Sequence, residues 1–493
     1  MRTTLIALGI AIAAHSAPTV EDGSMTHGFR YDPMRFVEEN ESLQAARVRK
    51  VVFDAPREGD RAVIDAAIAK AMESRREDGT FADTSKDTGS SLLELLRLGH
   101  GADSPAIRDG LAAMMDQYRV GKNADEWYEK DGALNIYPLN ALLLGGMAEA
   151  PEVALSLRWL AAHPDAWVGP NAGCPWTPEV FIHAVWDGRD VEDVDDTLTH
   201  ALSWLRDSMN DAGQITYKDP WGFVSAAGYV DHPVGREIVV KLLPLILRGQ
   251  QSDGGWGHHS LSVFRALVRY DLLDALRAAP PLPPDWRVTE SVPLPEGSAQ
   301  GLAWDGEAFW TRDPKGSRVV RIDAVTGNVL RSVALREEAH GLAYKDGNLV
   351  VTARGETSHV VILNADSGEI VQDIPTPHVD WIGSVAAVDG HFFVADTFNG
   401  CVAVVDPANP DEKTMRGLAG GGPGYLAATD DGVWHADYWS PLLIKSDLAG
   451  GLIEWAGKPF DGNVGGIAWD GERLWAIDSG EGRICAIERV EAD

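Results

Sequence analysis

Three acidic side chains stand within four positions of each other at the start of an apolar helix. Asp193, Asp195 and Asp196 form an Asp-x-Asp-Asp stretch that leads through Thr197 into Leu198. Carboxyl groups this close together influence each other's protonation, so that one can stay ionised while another keeps its proton. Acidic residues are also favoured at a helix start by capping and by the macrodipole, without any catalysis. The stretch therefore predicts either an acid–base site or an ordinary helix cap.

A second pattern, Gln-x-x-x-Gly-x-Trp, occurs at Gln250, Gly254 and Trp256, and weaker copies of its spacing occur in the ranges 75–81 and 209–215. This pattern resembles the prenyltransferase and squalene-cyclase repeat. The Asp-x-Asp-Asp-Thr stretch in turn resembles the acid motif of class II terpene cyclases. The resemblance covers roughly residues 60 to 278. It implies an α/α toroid in which the Gln-Gly-Trp element ties helix ends together.

The resemblance also implies a reaction, the cyclisation of a polyprenyl substrate that begins with protonation of an alkene or epoxide. The middle acid of the motif is the proton donor in that family, which here is Asp195, while Asp193 and Asp196 tune its acidity. Aromatic faces then stabilise the cation. The aromatic candidates for this role are Trp176, Trp186, Tyr217, Trp221, Phe223 and Tyr229. Packing in an ordinary apolar core is the alternative for these side chains.

A substrate that carries a diphosphate would require a basic pocket and Mg²⁺, and no other cofactor or protein-bound metal is implied. Arg236, Lys241 and Arg248 are the available cations, but their spacing also fits the solvated face of an amphipathic helix. His232 and the pair at 258–259 could hydrogen-bond to the acidic stretch or serve the fold.

The elements that must position these residues fall into two kinds. From about residue 61 to 277 apolar residues recur at helical spacing, which predicts an array of short antiparallel helices. Clear examples are the ranges 90–99, 153–162, 197–208, 236–247 and 261–276. The proline-rich range 279–286 cannot continue a helix and is the predicted linker.

Beyond the linker a repeat of about forty residues appears, each unit with an Asp-Gly turn between two strands. The turns stand at 305–306, 346–347, 389–390, 431–432 and 470–471. Five units predict a five-bladed β-propeller, and a sixth blade would require a degenerate unit. The strand at 287–294 has no blade of its own and could supply the strand that the last unit lacks, which would remove exposed sheet edges. The repeat resembles propellers of the glutamine-cyclotransferase-like and gluconolactonase-like kind.

Acidic residues recur after the second strand of most units. Asp313, Asp396, Asp437 and Asp478 occupy this place, and Arg354 occupies it in the second unit. If the four carboxylates face one rim of the channel they would suit Ca²⁺, which prefers oxygen ligands. The alternative is that they end strands and cap turns.

Composition excludes several classes of function. Lys+Arg 43 against Asp+Glu 74 leaves a formal charge of −31, which disfavours binding to nucleic acid and to anionic membranes. Three cysteines without a Cys-x-x-Cys pair exclude a disulfide framework and a thiolate zinc cage. The apolar run at 5–14 followed by small residues is typical of a secretory leader. A leader would place the protein in the periplasm or outside the cell, and an over-called start would place it in the cytoplasm.

The predicted architecture is thus a multidomain α + β chain. It comprises a possible leader at 1–24, an α/α toroid at 25–278, a linker at 279–286 and a β-propeller at 287–493. The first hypothesis for function is an isoprenoid cyclase with the propeller as scaffold. The second is an exported, non-enzymatic toroid that binds a lipid or glycan, with a propeller that binds a protein partner. A propeller hydrolase or lyase that uses Ca²⁺ is the third.

Overall fold

The computed structural model describes most of the chain, and every structural statement below refers to the residues it describes. These are residues 20–21, 24–121, 134–166, 177–209, 220–295, 300–313, 317–355, 357–379, 381–397, 399–409, 413–418, 422–438 and 440–490. The chain divides into two compact units, one of residues 28–283 and one of residues 284–493 together with 1–27. The predicted fold class, a helical domain followed by a five-bladed propeller, is confirmed. The helices that the structure describes include none long and apolar enough to cross a membrane.

The helical unit contains fourteen α-helices among its described residues. They are α1 Pro33–Glu39, α2 Leu43–Val51, α3 Asp60–Met72, α4 Ser85–Arg97, α5 Pro105–Gly121, α6 Ile136–Leu144, α7 Pro151–Ala162, α8 Thr177–Gly188, α9 Asp195–Ser208, α10 Pro220–Tyr229, α11 Pro233–Lys241, α12 Leu243–Arg248, α13 Ser260–Arg269 and α14 Leu273–Ala278. A proline at the first turn starts α1, α7 and α11, where the missing N–H would have had no helical partner.

The helices form two layers. Helices α4, α6, α8, α10 and α13 pack successively against each other, and α13 packs against α2 to continue the inner layer. Each of α2, α4, α6, α8 and α10 also packs against the helix that follows it in the chain, so that α3, α5, α7, α9 and α11 form an outer layer. Alternation of inner and outer helices along the chain is what short antiparallel helical hairpins produce. Polar residues that face inward from the inner helices must therefore meet at the centre of the unit.

Two of the predicted helices are each divided in the structure. The range 236–247 contains Pro244, which lacks an N–H, and the chain forms α11 and α12 instead of one helix. The range 261–276 is broken at Asp271, whose φ of 55° is left-handed, and the chain forms α13 and α14. Helical periodicity continues across both breaks, so it does not reveal them.

The Gln-x-x-x-Gly-x-Trp element joins separate parts of the helical unit. The Gln250 amide accepts a hydrogen bond from Tyr31 N at 3.0 Å and donates one to Tyr31 O at 2.8 Å. The Trp256 indole donates to Ile246 O at 2.6 Å, and Gly254 has a φ of +88° that favours glycine. These contacts tie a turn to the N-terminal segment of the unit and to the end of α12.

Close helix packing in the inner layer depends on Gly89 of α4. A Cβ added at Gly89 would lie 2.7 Å from the backbone N of Pro138 in α6, closer than atoms of this kind approach. We expect Gly89→Ala to lower the free energy of unfolding by about 1–3 kcal/mol, because one of the two helices must shift. Denaturant titration measures the change. Gly59→Ala is the matched control, since a Cβ there meets nothing within 4 Å, and equal losses in both variants would contradict the prediction.

The propeller contains five four-stranded antiparallel sheets among the described residues. The strands are β3 Trp286–Pro293, β4 Gln300–Trp304, β5 Ala308–Arg312, β6 Arg318–Asp323, β7 Val329–Ala334, β8 Ala339–Lys345, β9 Asn348–Arg354, β10 Ser358–Asn364, β11 Ile370–Pro375, β12 Ile382–Val388, β13 His391–Asp396, β14 Cys401–Val405, β15 Lys413–Gly417, β16 Pro423–Thr429, β17 Gly432–Asp437, β18 Leu442–Ser446, β19 Leu452–Gly457, β20 Val464–Trp469, β21 Leu474–Asp478 and β22 Arg483–Arg489. A short ladder joins β1 Val20–Glu21 to β2 Ser24–Met25.

Blades one to four follow the chain as β4–β7, β8–β11, β12–β15 and β16–β19. The fifth blade has the order β20-β21-β22-β3, so the strand after the linker completes the last blade, as the sequence predicted. The first strands of the blades, β4, β8, β12, β16 and β20, pack in a ring around the axis. Hydrogen bonds between β22 and β3 thus join the two ends of the domain in one blade and close the ring.

The repeated Asp and Trp residues of the blades hold their own hairpins. The Trp310 indole donates to Asp305 Oδ2 at 2.9 Å, and the Trp475 indole donates to Asp470 Oδ2 at 2.6 Å. The glycines of these turns have positive φ, 100° at Gly306 in the first blade. The Asp-Gly repeat that identified the propeller is therefore a structural feature of its turns.

Candidate functional site

The acidic stretch lies at the outside of the helical unit. Asp195 and Asp196 occupy the first turn of α9, an outer helix, and Asp193 precedes it; all three side chains are exposed. Thr197 beside them is buried. Carboxylates in this position are stabilised by the helix macrodipole and by water. A carboxyl group that protonates an alkene needs a site sheltered from water, and the structure does not give Asp195 such a site.

The structure separates the predicted aromatic residues. Phe223 is packed in the core, and the half-buried Trp186 has the Arg189 guanidinium 3.9 Å from its ring centroid. Trp221 is buried and stacks on His259 with ring centroids 4.8 Å apart. Tyr229 ends α10, and its hydroxyl donates to Asp187 of α8. Trp176 and Tyr217 lie outside the described residues.

Helix α8 carries a stripe of titratable residues through an apolar surface. Glu179, His183 and Asp187 recur every four residues and so lie on one face of this inner helix. Five of the six positions between them are buried and apolar, namely Val180, Phe181, Ile182, Ala184 and Val185, and the sixth, Trp186, is half-buried. Because apolar packing surrounds the rest of the helix, the polar stripe faces the interior of the unit.

Helix α10 presents a matching stripe to α8. Ser225 Oγ donates to Glu179 Oε1 at 2.7 Å. Tyr229 Oη donates to the Asp187 carboxylate, 2.9 Å from Oδ2, and the Tyr229 ring stacks on His183 with centroids 3.9 Å apart. Each titratable residue on α8 is therefore held by a residue on α10, which gives the two carboxyl groups defined positions.

Three arginines from three other helices complete this group. Arg47 comes from α2, Arg97 from α4 and Arg265 from α13. All three are half-buried, and among the described residues none forms a salt bridge with a carboxylate. Burial lowers the pKa of Arg47 and of Arg265, and the charge of Arg97 lowers both further. We call these arginines with Glu179, His183, Asp187, Ser225 and Tyr229 the central cluster.

His183 is held neutral in the central cluster. Arg97 Nη2 donates to its Nδ1 at 2.7 Å, so the proton of the neutral ring lies on Nε2, which faces Ser225 O at 3.4 Å. Burial lowers the pKa of His183 well below its usual value, and the charges of Arg97 and Arg265 lower it further. His183 therefore positions Arg97 and adds no charge of its own.

The two carboxyl groups both have raised pKa values. Burial raises the pKa of Glu179 and raises the pKa of Asp187 to about 6, against the opposing effects of hydrogen bonds and arginine charges. Burial and the nearby Asp187 charge also raise the pKa of Tyr229, so its hydroxyl keeps its proton. Glu179 and Asp187 are half-buried residues, and burial is the largest influence on the pKa of each. A group that is desolvated and still reachable can exchange a proton with a bound molecule.

The central cluster was not identified from the sequence, apart from Tyr229. One signal was present: Glu179, His183 and Asp187 are regularly spaced charges in an otherwise apolar helix. The arginines carried no comparable signal, since each lies in a helix with a polar face. Only the meeting of α2, α4, α8, α10 and α13 distinguishes these arginines from solvated ones.

The acidic residues at the blade ends bind local turns. Asp313 accepts hydrogen bonds from Ser317 N and Oγ at 2.8 and 2.9 Å, and Asp396 accepts one from Asn399 Nδ2 at 2.8 Å. Asp478 accepts from Gly480 N at 3.1 Å. Within the described part of the chain no group of three or more His, Cys, Asp or Glu could hold a metal ion. The geometry therefore agrees with turn capping, the alternative to Ca²⁺ that the sequence left open.

No family model matches the chain. A curated relative, virginiamycin B lyase of Nocardia farcinica (strain IFM 10152), is 26% identical over 162 residues, 32% of this chain and 55% of the relative. The chain thus spans about half the length of that relative. The solved glutaminyl cyclase of Myxococcus xanthus is 13% identical with a TM-score of 0.35, over 42% of this chain and 97% of that one. A solved virginiamycin B lyase of Staphylococcus aureus is 15% identical with a TM-score of 0.28, over 39% of this chain and 66% of that one.

The comparisons show a distant sequence similarity to virginiamycin B lyase over about a third of this chain. They lend no support to a terpene-cyclase toroid.

Proposed function

We propose that the helical unit is an enzyme that binds a carboxylate-bearing small molecule in the central cluster and acts on it by proton transfer. The observation that carries the proposal is the juxtaposition, on the inner helices, of two carboxyl groups of raised pKa and three arginines that no described carboxylate pairs with. The reaction that best uses this set is elimination next to the substrate carboxylate.

The arginines receive the substrate. The charges of Arg97 and Arg265 lower the pKa of Arg47, and the charge of Arg97 lowers the pKa of Arg265, so an anion bound among them removes an unfavourable repulsion. Guanidinium groups bind carboxylates through paired hydrogen bonds. The buried Nε of Arg47 has no hydrogen-bond partner among the described residues, which leaves a donor for such a group.

Asp187 is the base. With a pKa of about 6 it is mostly ionised at neutral pH and still basic enough to accept a proton. It takes the proton from the carbon that bears the substrate carboxylate. The electron pair moves into the carboxylate, where the arginines stabilise the added negative charge. Tyr229, which donates to Asp187, fixes the direction of the carboxylate.

Glu179 is the acid. Its raised pKa favours the protonated form, and Ser225 holds the carboxyl group in place. As the electron pair returns to form a carbon–carbon double bond, the group on the next carbon leaves with the proton of Glu179. The products are an unsaturated carboxylate and the protonated leaving group, and solvent returns the proton from Asp187 to Glu179.

Isoprenoid cyclisation is the second candidate, because the arginines would also suit a diphosphate and Trp221 and Tyr229 offer aromatic faces. Alkene protonation requires an acid stronger than an ordinary carboxyl group. Burial makes Glu179 a weaker acid, and Asp195 is exposed to water. These two observations favour the carboxylate substrate.

The experiment is an activity screen of the full chain. Uronate polymers and small acids with a hydroxyl or amino group on the β-carbon are followed by the ultraviolet absorbance of the unsaturated carboxylate and by mass spectrometry. The second arm tests farnesyl diphosphate and geranylgeranyl diphosphate, each with and without Mg²⁺, and squalene. We expect turnover in the first arm only. Turnover only in the second arm would establish the cyclase instead.

Two variants make the screen specific. Arg97→Gln should lower kcat/KM at least 100-fold, because it removes a charge that stabilises the transition state. Asp195→Asn, an exposed acid on α9, should leave kcat/KM within a factor of two. Binding of a lipid or glycan without turnover of any compound would contradict the enzyme proposal and favour a binding protein.

A further inference from the structure

The first strand of every blade is irregular at the same end. The register shifts between Gln300 and Leu302 in the first blade and between Ala339 and Gly341 in the second. Equivalent shifts occur in β12, β16 and β20. Bulges of this kind redirect side chains and are frequent at rims and next to binding sites. Because the second strand of each blade ends at this level, the side chains there form one mouth of the propeller channel.

Neighbouring first strands pack closely against each other a short distance below this mouth. A Cβ added at Gly341 would lie 2.3 Å from Ser384 Cα, and one added at Gly466 would lie 2.8 Å from the carbonyl carbon of Gly301. Neighbouring first strands are therefore in backbone contact at these positions.

Arg312 lies at this mouth in an unusual state for an arginine. It ends β5, is 5% exposed, and donates to Asp313 O at 3.3 Å and to Gln300 Oε1. Its buried Nε has no hydrogen-bond partner among the described residues. Asp313 is engaged by Ser317 and Arg318, and no carboxylate described in the structure forms an ion pair with Arg312. A buried arginine is normally paired, so this one retains unused capacity for an anion.

Other blades direct polar groups toward Arg312. Tyr425 of the fourth blade and the exposed Glu338, which precedes the second, both raise the pKa of Arg312, although burial lowers it overall. His340 of the second blade is half-buried, and burial and the Arg312 charge lower its pKa, which favours the neutral ring. Arg312 therefore interacts electrostatically with a phenol, an imidazole and the carboxylates of Glu338 and Asp313, none of which forms a described ion pair with it.

Exposed aromatic side chains stand above these groups. Tyr438, whose charge interacts with Tyr425, is 68% exposed. Trp381, just before β12, is 54% exposed, with the Arg354 guanidinium 5.2 Å from its ring centroid. Large exposed aromatic residues near a concave polar site offer flat apolar surface to a ligand.

We propose that the mouth of the propeller channel binds a small carboxylate carried on an aromatic group. The carboxylate pairs with Arg312, and the aromatic group lies against Tyr425 and Tyr438. This site is separate from the central cluster, and its existence does not depend on the function proposed for the helical unit.

Isothermal titration of the full chain with phenylacetate, phenylacetamide, acetate and inorganic phosphate tests the proposal. We expect phenylacetate to bind, the amide to bind at least tenfold more weakly, and acetate and phosphate to bind more weakly than phenylacetate. Equal affinity for phenylacetate and its amide would overturn the role of Arg312. Stronger binding of phosphate than of phenylacetate would overturn the ligand class.

Variants locate the binding. Arg312→Gln should weaken phenylacetate at least tenfold, and Arg312→Lys, which keeps the charge but loses the planar fork, should weaken it less. Tyr438→Ala, at an exposed position, should weaken the binding of phenylacetate and leave the binding of acetate unchanged. Arg318→Gln is the control on the same blade and should have no effect. Unchanged phenylacetate binding in Arg312→Gln, or no binding of phenylacetate to the wild type, would refute the proposal.

Discussion

Asp187→Asn is expected to abolish turnover by the helical unit and at the same time to make the protein more stable at pH 7. Loss of the general base should lower kcat by roughly 10²–10⁴-fold. The free energy of unfolding should rise by about 1–2 kcal/mol, a value that allows for the partial exposure of the side chain. A residue that serves only the fold would destabilise the protein when replaced.

The expected loss of activity and the expected gain of stability both follow from the raised pKa of Asp187. Its pKa rises from 3.8 to about 6 in the folded state, so the folded protein holds this proton more tightly than the unfolded chain does. The contribution of the protonated Asp187 to the free energy of unfolding is therefore fully present below about pH 4 and is lost as the pH rises through about 6. Asparagine keeps the acceptor for Tyr229 and avoids the cost of a buried charge.

Denaturant titrations of wild type and Asp187→Asn from pH 4 to pH 8 measure this effect. The two stabilities should coincide near pH 4 and separate as the pH rises through about 6. The pH profile of kcat/KM in the wild type should have its acidic limb near the same pH. Asp195→Asn serves as control, with a stability change within about 0.5 kcal/mol. A pH-independent difference between wild type and Asp187→Asn would exclude the assigned charge state.

Arg49→Met is expected to cause a large loss of stability, about 3–5 kcal/mol. Arg49 of α2 and Asp60 of α3 form a buried salt bridge, with Nε to Oδ2 at 2.8 Å and exposures of 3% and 4%. Arg49 Nη1 also donates to Val37 O and Asn40 O, both at 2.8 Å. Removal of the guanidinium leaves the Asp60 carboxylate buried without a counter-charge and two carbonyl groups without a donor.

Thermal and denaturant unfolding measure the loss, and the exposed pair Arg61–Asp65 provides the control. Arg61→Met should change stability by less than about 1 kcal/mol, because its pair is solvated. Addition of Asp60→Leu to Arg49→Met should restore part of the loss, since no unpaired charge then remains. The hydrogen bond from Arg49 lowers the pKa of Asp60, so this stabilisation is present above about pH 4 and is lost as the pH falls further. Equal effects of Arg49→Met and Arg61→Met would contradict the structure here.

The two proposed binding regions are built differently, although each contains arginine that no described carboxylate pairs with. The central cluster draws its residues from five helices, with Arg47 and Arg265 more than two hundred positions apart. The channel mouth draws Arg312 from the second strand of the first blade, and His340 and Tyr425 from the first strands of the second and fourth blades. In both regions the positive charge of the arginines is not neutralised by an ion pair with a described carboxylate.

Features that depend on neighbouring residues can be predicted from the amino-acid sequence alone. Apolar spacing predicts the helices, consecutive prolines the end of the helical unit, and Asp-Gly turns the five blades, including the strand at 287–294 that closes the ring. Each of these predictions depends on the backbone preference of neighbouring residues or on a sequence repeat, and both can be read along the chain. The breaks at Pro244 and Asp271 are missed because apolar spacing continues across them.

The environment of a charged side chain depends instead on packing. Asp195 and Asp187 both lie on amphipathic helices, yet α9 turns its acids to water while α8 turns Asp187 to the arginines of α4 and α13. Burial and partner charges set the pKa, and both come from segments far apart in the chain. For this reason the acidic motif that is conspicuous in the sequence is exposed, whereas the polar centre exists only where the assembled helices bring its residues together.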